Sequence, residues 1–412
     1  MIQWREFISN YIYHEQTQTG TNRRRISGFK LVWFVVKTLV LSLTLFFLAC
    51  VKPPAGQVEM ALGTVCAVNL FEDGNAQLYA QIFARIHAID RTMTAFPSDI
   101  AAYVPDSAVA EGLVSGVVAI NERAGIEPVP VRSDLIAVLE TALYYAELSG
   151  GAFDPTVGPL VTLWGIGLER SPLETKAPTE TGSPQETWQI PDEAAIADAL
   201  ALVNWRDVVI DREAGTVFLR RKGMALDLGA IAKGYAGDEA ARIAKEAAVH
   251  RAIIDLGGNI VTLGWRHTPA DTTPLGAAPQ PWRIGIQNPL EERGAYIGIV
   301  LVHDTSIVTS GVYERYVELE GKRYHHLFSP ENGYPADNGL LSVSIVTKNS
   351  ASADALSTAV FVMGFEKGKA LIDSIPATEA IFVFDDRRII ITAGLSDTFT
   401  LTDNTFTLDV QP

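Results

Sequence analysis

The sequence predicts an α+β fold, and three observations carry that expectation. Two long segments place apolar residues at intervals of three and four, the spacing of a helix face. Several short runs alternate apolar and polar residues between turn-forming residues, the spacing of strands. The two patterns are mixed without a strict strand–helix–strand order, which disfavours a doubly wound parallel sheet.

The helical segments are "AQLYAQIFARIHAIDRTM" and "SDLIAVLETALYYAELSGG", the second with Ser133 as its expected cap and Gly150-Gly151 as its stop. "RDVVIDREAGTVFLRRKGMALDLG" reads as two strands joined by a turn, and "LLSVSIVT", "AIFVFD" and "RIIITAG" read as further short strands. Two stretches rich in Pro, Thr and Gly, near 169–189 and 266–282, read as surface insertions. Short internal repeats are not apparent.

The chain has 412 residues, 48% hydrophobic and 20% charged, enough to bury a large core. Its formal net charge of -15 argues against nucleic acid as a partner, because phosphate backbones are held by clustered Lys and Arg. An anionic ligand would need a cation or backbone N–H groups as intermediary. The two cysteines, Cys50 and Cys66, lie in no Cys/His spacing that fits zinc, and a structural disulfide is not expected.

The N-terminus reads as an address. Arg23 to Arg25 precede an apolar run from Leu31 to Ala49, followed by Cys50 and Pro53-Pro54. A Cys directly after Ala49 points to a lipoprotein signal, cleaved before a lipidated Cys50; an uncleaved membrane anchor is the alternative. Either reading exports the rest of the chain. The expected organisation is an N-terminal extension at 1–30, a signal at 31–49 and a single domain at 50–412.

Five stretches concentrate the chemistry. "GGAFDPTVGPLVTLWGIG" sets glycines, prolines and Asp154 in a loop where backbone can approach a ligand, or simply ends a helix. In "ALDLGAIAKGYAGDEA" a strand gives way at Gly229 to a helix starting near Ala230. Such a junction offers N–H groups to an anion, with Lys233 adding charge. "AIIDLGGNIVTLG" has Gly257 and Gly258 in a tight turn. "SIVTSGVYERYVELEGKRYHHLFSPENGYPA" joins a small-residue turn at Thr309 to Gly311 with two adjacent histidines, which strand geometry points to opposite faces. In "KNSASADALSTAVFVMG" a helix starting near Ser352 puts Asp354 and Thr358 on one face. A carboxylate and a hydroxyl are hard oxygen donors that suit Mg²⁺.

In order along the chain, these stretches together with "LGTVC" and "MTAFPSDIAAYV" resemble the ApbE family of FAD:protein FMN transferases. The resemblance implies a T-fold-like, two-lobed architecture with flavin in a cleft between the lobes. It also implies FAD contacts at Leu62, Phe96, Ala152, Phe153, Asp154, Asp227 and Lys233. Mg²⁺ ligands are implied at Ala230, through its carbonyl, and at Asp354 and Thr358. The implied reaction uses FAD as substrate and transfers FMN to a Thr or Ser hydroxyl of another exported protein, with release of AMP. That acceptor would be part of a membrane or extracytoplasmic redox system, facing the periplasm or cell exterior.

His326 aligns with the family histidine and is a candidate base for the incoming hydroxyl, or a residue that fastens its loop; His325 is expected to face the other way. Ser329 and Asn332 depart from the family pattern of an acidic or amide residue before Pro and a Thr before Gly. Two other functions remain open at this level: an FAD pyrophosphatase that uses water, and a non-catalytic FAD-binding lipoprotein.

Overall fold

In a computed structural model the described residues are 56–71, 74–95, 116–167, 188–266 and 280–411. The signal segment with Cys50, the candidate Phe96 and nearly all of both insertions lie outside them. Among the described residues no helix is long and apolar enough to cross a membrane.

The centre of the fold is a nine-stranded sheet. Its strands, in spatial order, are Gln57–Ala61, Thr64–Leu70, Ala252–Leu256, Asn259–Leu263, Ser306–Gly311, Leu340–Thr347, Glu379–Phe384, Arg388–Thr392 and Thr407–Gln411. The pairings are antiparallel except the last, which is parallel. Alternation along the inner strands divides their side chains between two cores. In Glu379–Phe384, Ala380, Phe382 and Phe384 face one core, while Ile381 and Val383 face the other.

The first core is covered by helices Ala76–Met93, Ser133–Leu148, Ala232–Glu246 and Ser350–Met363. The second is covered by a three-stranded sheet of Phe399–Leu401, Tyr296–Val302 and Trp282–Gln287. The central sheet is therefore buried on both faces over most of its width. That is why strands such as "AIFVF" are continuously apolar rather than alternating.

The amphipathic spacing of Ala76–Met93 is realised: Leu78, Tyr79, Ile82, Phe83, Ile86, Ile89 and Met93 are its buried stripe. Asn75 caps it, accepting the Leu78 N–H at 3.0 Å. The other helix starts where expected, but Ser133 is its first residue and not its cap; Arg132 takes the cap position without a side-chain hydrogen bond. The helix expected from near Ser352 starts at Ser350, two residues earlier, with Asn349 as the cap. Arg85 ties three of the helices together through Asp134, Glu239 and the Tyr235 hydroxyl.

A third, smaller core is aromatic. Trp164, at the end of helix Gly158–Trp164, packs against Trp188, Tyr324, Phe328 and Tyr334. Its indole N–H donates to the Gly333 carbonyl at 2.9 Å. This cluster fastens the loop that follows the two histidines to the helix that follows Asp154, 169 residues away in sequence. The "GGAFDPTVGPLVTLWG" stretch thereby buttresses the histidine loop.

Candidate active site

The site is built where two helices meet close to their N-termini. Helix Ala232–Glu246 and helix Ser350–Met363 cross at Gly234, where a Cβ atom would come within 2.2 Å of the Ser350 carbonyl oxygen. Only glycine allows that approach. The contact brings Asp354 onto the start of the first helix, where its Oδ2 accepts the Gly234 N–H at 2.8 Å. In return Asp238, from the first helix, caps the second: its carboxylate accepts the Ser350 N–H at 2.8 Å, the Ala351 N–H at 2.9 Å and the Asn349 side-chain amide at 2.7 Å. Each helix start is held by a carboxylate from the other helix.

Gly234 is the third residue of its helix, where a backbone N–H has no partner within the helix, and Asp354 supplies one. The Ala230 carbonyl, just before the helix, accepts no hydrogen bond among the described residues. Asp354 is 3% exposed and accepts only this one bond, which leaves Oδ1 without a donor. Asp354 is buried because helix Ser350–Met363 is apolar on nearly every side. Thr358, one turn on, shares a hydrogen bond of 3.1 Å with Ser310, whose hydroxyl also meets Ser357 at 2.8 Å. Lys233 lies in the first turn of its helix and donates to the Gly229 carbonyl at 3.1 Å.

Asp227 accepts the Gly229 N–H at 2.8 Å and shapes the turn before that helix. Its own N–H donates to the Pro155 carbonyl at 2.9 Å, and the Gly158 N–H donates to Ala225. The loop around Asp154 therefore runs beside the segment that leads into helix Ala232–Glu246; the strand expected there is reduced to a single bridge between Ala225 and Val157. Within that loop Phe153 is buried in the helical core. Asp154 is buried too: Oδ1 accepts the Thr156 N–H and hydroxyl, and Oδ2 accepts the Trp205 N–H at 3.0 Å. Burial raises its carboxyl above the ordinary range despite those bonds. The side chains of Phe153 and Asp154 set the loop's shape, and Ala152 beside them is half-buried. Leu62 sits with Gly63 in a two-residue turn with both φ angles positive, 54° and 65°, and donates its N–H to Asp90 at 2.8 Å.

The two histidines separate as strand geometry requires. His325 is buried; its Nε2–H donates to the Ala336 carbonyl at 2.9 Å, and its Nδ1 accepts the Leu327 N–H at 3.2 Å. Both ring nitrogens are used, and burial lowers its pKa to about 4. His326 faces the other way, with Nδ1 at 3.1 Å from the Arg315 carbonyl. A carbonyl only accepts, so Nδ1 carries the proton and Nε2 of the neutral ring is a bare acceptor. Burial, aided by the Arg315 guanidinium, holds this imidazole well below its ordinary pKa and hence neutral.

Ser329 and Asn332 keep the loop's form. Ser329 Oγ accepts the Glu331 N–H at 3.3 Å, and Asn332 Oδ1 accepts the Tyr334 N–H at 2.9 Å, two side-chain turns in succession. Sequence reasoning missed Asp238 and the carbonyl of Arg315, and it set Ser310 in a turn where the structure has the strand Ser306–Gly311. Asp238 looks in sequence like any acidic residue on a helix, and its partners are more than a hundred residues away.

Comparison with known proteins identifies a family. The model of the ApbE family matches residues 62–382. The chain is 36% identical over 358 residues to the FAD:protein FMN transferase of Treponema pallidum, covering 86% of this chain and 91% of that one. It is 37% identical over 279 residues to an FAD:protein FMN transferase of Klebsiella pneumoniae, covering 68% and 78%. The crystal structure of the ApbE protein from Thermotoga maritima superposes with a TM-score of 0.64 at 30% identity, covering 81% of this chain and 95% of that one. With the mixed α/β fold and most of its length matched, the chain belongs to the ApbE family.

Proposed function

We propose that this chain transfers FMN from FAD to a Thr or Ser hydroxyl of an acceptor protein, with Mg²⁺ bound at the start of helix Ala232–Glu246. The observation that carries the reading is a set of oxygens at one helix start: the Ala230 carbonyl and the second oxygen of Asp354 have no donors among the described residues, and Thr358 lies one turn from Asp354. Carbonyl, carboxylate and hydroxyl are all hard oxygens, so this donor set fits Mg²⁺. When bound, the ion supplies positive charge to a pyrophosphate.

The chain's own groups do the rest. Lys233 and the free N–H groups of the helix start draw the pyrophosphate to the junction. The backbone of residues 152–154, with Leu62, Phe96 and Asp227, holds the remainder of FAD in this reading. His326 Nε2 takes the proton of the acceptor hydroxyl. The hydroxyl oxygen bonds to the FMN phosphorus, the bond from that phosphorus to the bridging oxygen breaks, and AMP leaves with the electron pair. The net charge of -15 is then compatible with an anionic substrate, because Lys233 and the bound ion would supply positive charge at the site.

The basic, apolar and Cys50 series supports export and lipid anchoring, with the domain in the periplasm or at the cell exterior and its acceptor in a redox system there. The test is to incubate the protein with FAD and Mg²⁺, with and without an acceptor from a flavin-dependent electron carrier, and to follow AMP, free FMN and acceptor mass. AMP release matched by acceptor-bound FMN, and lost in His326→Gln, is the expected result. Free FMN at equal rates in both tubes would instead establish the pyrophosphatase reading.

A further inference from the structure

Asn259 follows the Gly257-Gly258 turn, and nothing above gives it a role. It is 3% exposed, yet its Nδ2 is buried without a partner, and its carboxamide makes no hydrogen bond with any described residue. Buried amides without partners are rare in native proteins, because neither the lost water nor a protein group repays the desolvation. Such a group, when it lies beside a substrate site, is accounted for by a ligand.

Its place in the sheet puts it there. Asn259 shares a face with Val261, and Val261 packs against Gly237 of helix Ala232–Glu246, whereas Ile260 between them faces the other core. Strand Ser306–Gly311 pairs with this strand as Ser306 to Val261 and Ile307 to Ile260. Continuing that register sets Val308 opposite Asn259 and puts Ser310 one diagonal further on the same face. Ser310 is the residue hydrogen-bonded to Thr358. On its other side, Asn259 is paired with Leu256, and the Gly257 between them lies so close to Thr64 that a Cβ would meet its hydroxyl at 2.1 Å. Asn259 therefore sits between the Leu62–Thr64 turn and the Ser310–Thr358 contact, beneath the start of the helix that carries Lys233.

We infer that the Asn259 carboxamide is a substrate-binding group that donates its Nδ2–H to an oxygen of the FAD pyrophosphate. An amide suits this position because it is a neutral donor. It adds a hydrogen bond to the anion without competing with Lys233 or repelling a bound cation. The inference rests on the transferase reading and deepens it.

The experiment measures equilibrium binding of FAD, ADP and riboflavin to the full-length chain in detergent at fixed Mg²⁺, for the wild type and for Asn259→Leu and Asn259→Asp, with thermal unfolding of the ligand-free proteins alongside. Asn259→Leu should weaken FAD and ADP by roughly tenfold, the scale of one lost hydrogen bond to a charged group, and leave riboflavin, which has no phosphate, unchanged. Asn259→Asp, nearly the same shape but negative, should weaken FAD and ADP further. The ligand-free Tm of Asn259→Leu should equal or exceed that of the wild type, since no bond is lost. A fall in Tm with unchanged FAD affinity would make Asn259 structural and overturn the inference. So would equal weakening of riboflavin, which would move the contact to the isoalloxazine. Wild-type protein that fails to bind FAD would overturn the transferase reading itself, whereas wild-type binding that Asn259→Leu leaves intact removes only this inference.

Discussion

Asp238 and Asp354 make an informative pair. Both are carboxylates at the crossing of the same two helices, and each caps the start of the helix it does not belong to. Asp238 accepts three hydrogen bonds, so its charge is used up within the protein. Asp354 accepts one and is more deeply buried. A carboxylate with a single N–H donor keeps lone pairs for a cation, whereas one with three has spent more of them within the protein. Two residues with matching positions thus divide into a structural group and a group available for chemistry. The number of donors, not burial, separates them.

Paired substitutions test that division, the largest effect being on turnover. Asp354→Asn keeps an oxygen for the Gly234 N–H but places a neutral amide where the ion's charge partner stood. Transfer should fall by roughly three orders of magnitude, with stability within about 1 kcal/mol of wild type. The check is AMP release at saturating FAD across a Mg²⁺ titration, alongside urea unfolding. Activity that stays near wild type at limiting Mg²⁺ would break the comparison at its functional end.

Asp238→Asn should do the reverse. Its new NH₂ group faces N–H donors, so at least one of the three bonds is replaced by a donor–donor clash. Stability should fall by roughly 3 kcal/mol, read as a lower urea midpoint, while turnover per folded molecule changes little. Burial raises the Asp238 carboxyl above its ordinary range even with its bonds, which moderates the loss without reversing it. A variant as stable as wild type would mean that the three bonds contribute nothing net.

The histidines extend the same reasoning to a smaller effect. His325 has both nitrogens engaged and a pKa lowered from 6.5 to about 4 by burial. Its folded form binds fewer protons than the unfolded chain between those values. Stability therefore falls as pH drops through 6.5, and this contribution is fully lost below about 4. Comparing wild type with His325→Gln cancels the other titrations. The difference in unfolding free energy between the two should shift against the wild type by up to roughly 3 kcal/mol from pH 7 to pH 4. A pH-independent difference would show that His325 is solvated and not the fastener of its loop.

Much of the fold was legible because its causes are local. The apolar spacing of Ala76–Met93 and the alternation within Val208–Asp211 and Thr216–Leu219 depend on neighbours within a few residues. The same holds for the one-turn separation of Asp354 and Thr358 and for the helix that follows Gly229. That His325 and His326 do not share one site was expected from strand geometry, although His326 lies just past the end of strand Lys322–His325.

What each of those side chains does was decided by partners far along the chain. Asp354 meets Gly234 across 120 residues, and Asp238 meets Ser350 across 112. Trp205 closes on Asp154 across 51, turning a residue that reads as ligand-facing into one that shapes its loop. The Arg315 carbonyl fixes which His326 nitrogen bears the proton, eleven residues away through a hairpin turn. Periodicity fixes which face a side chain occupies. Only the packed structure fixes how many donors reach it, and that count separates a carboxylate that caps a helix from one left with an oxygen for an ion.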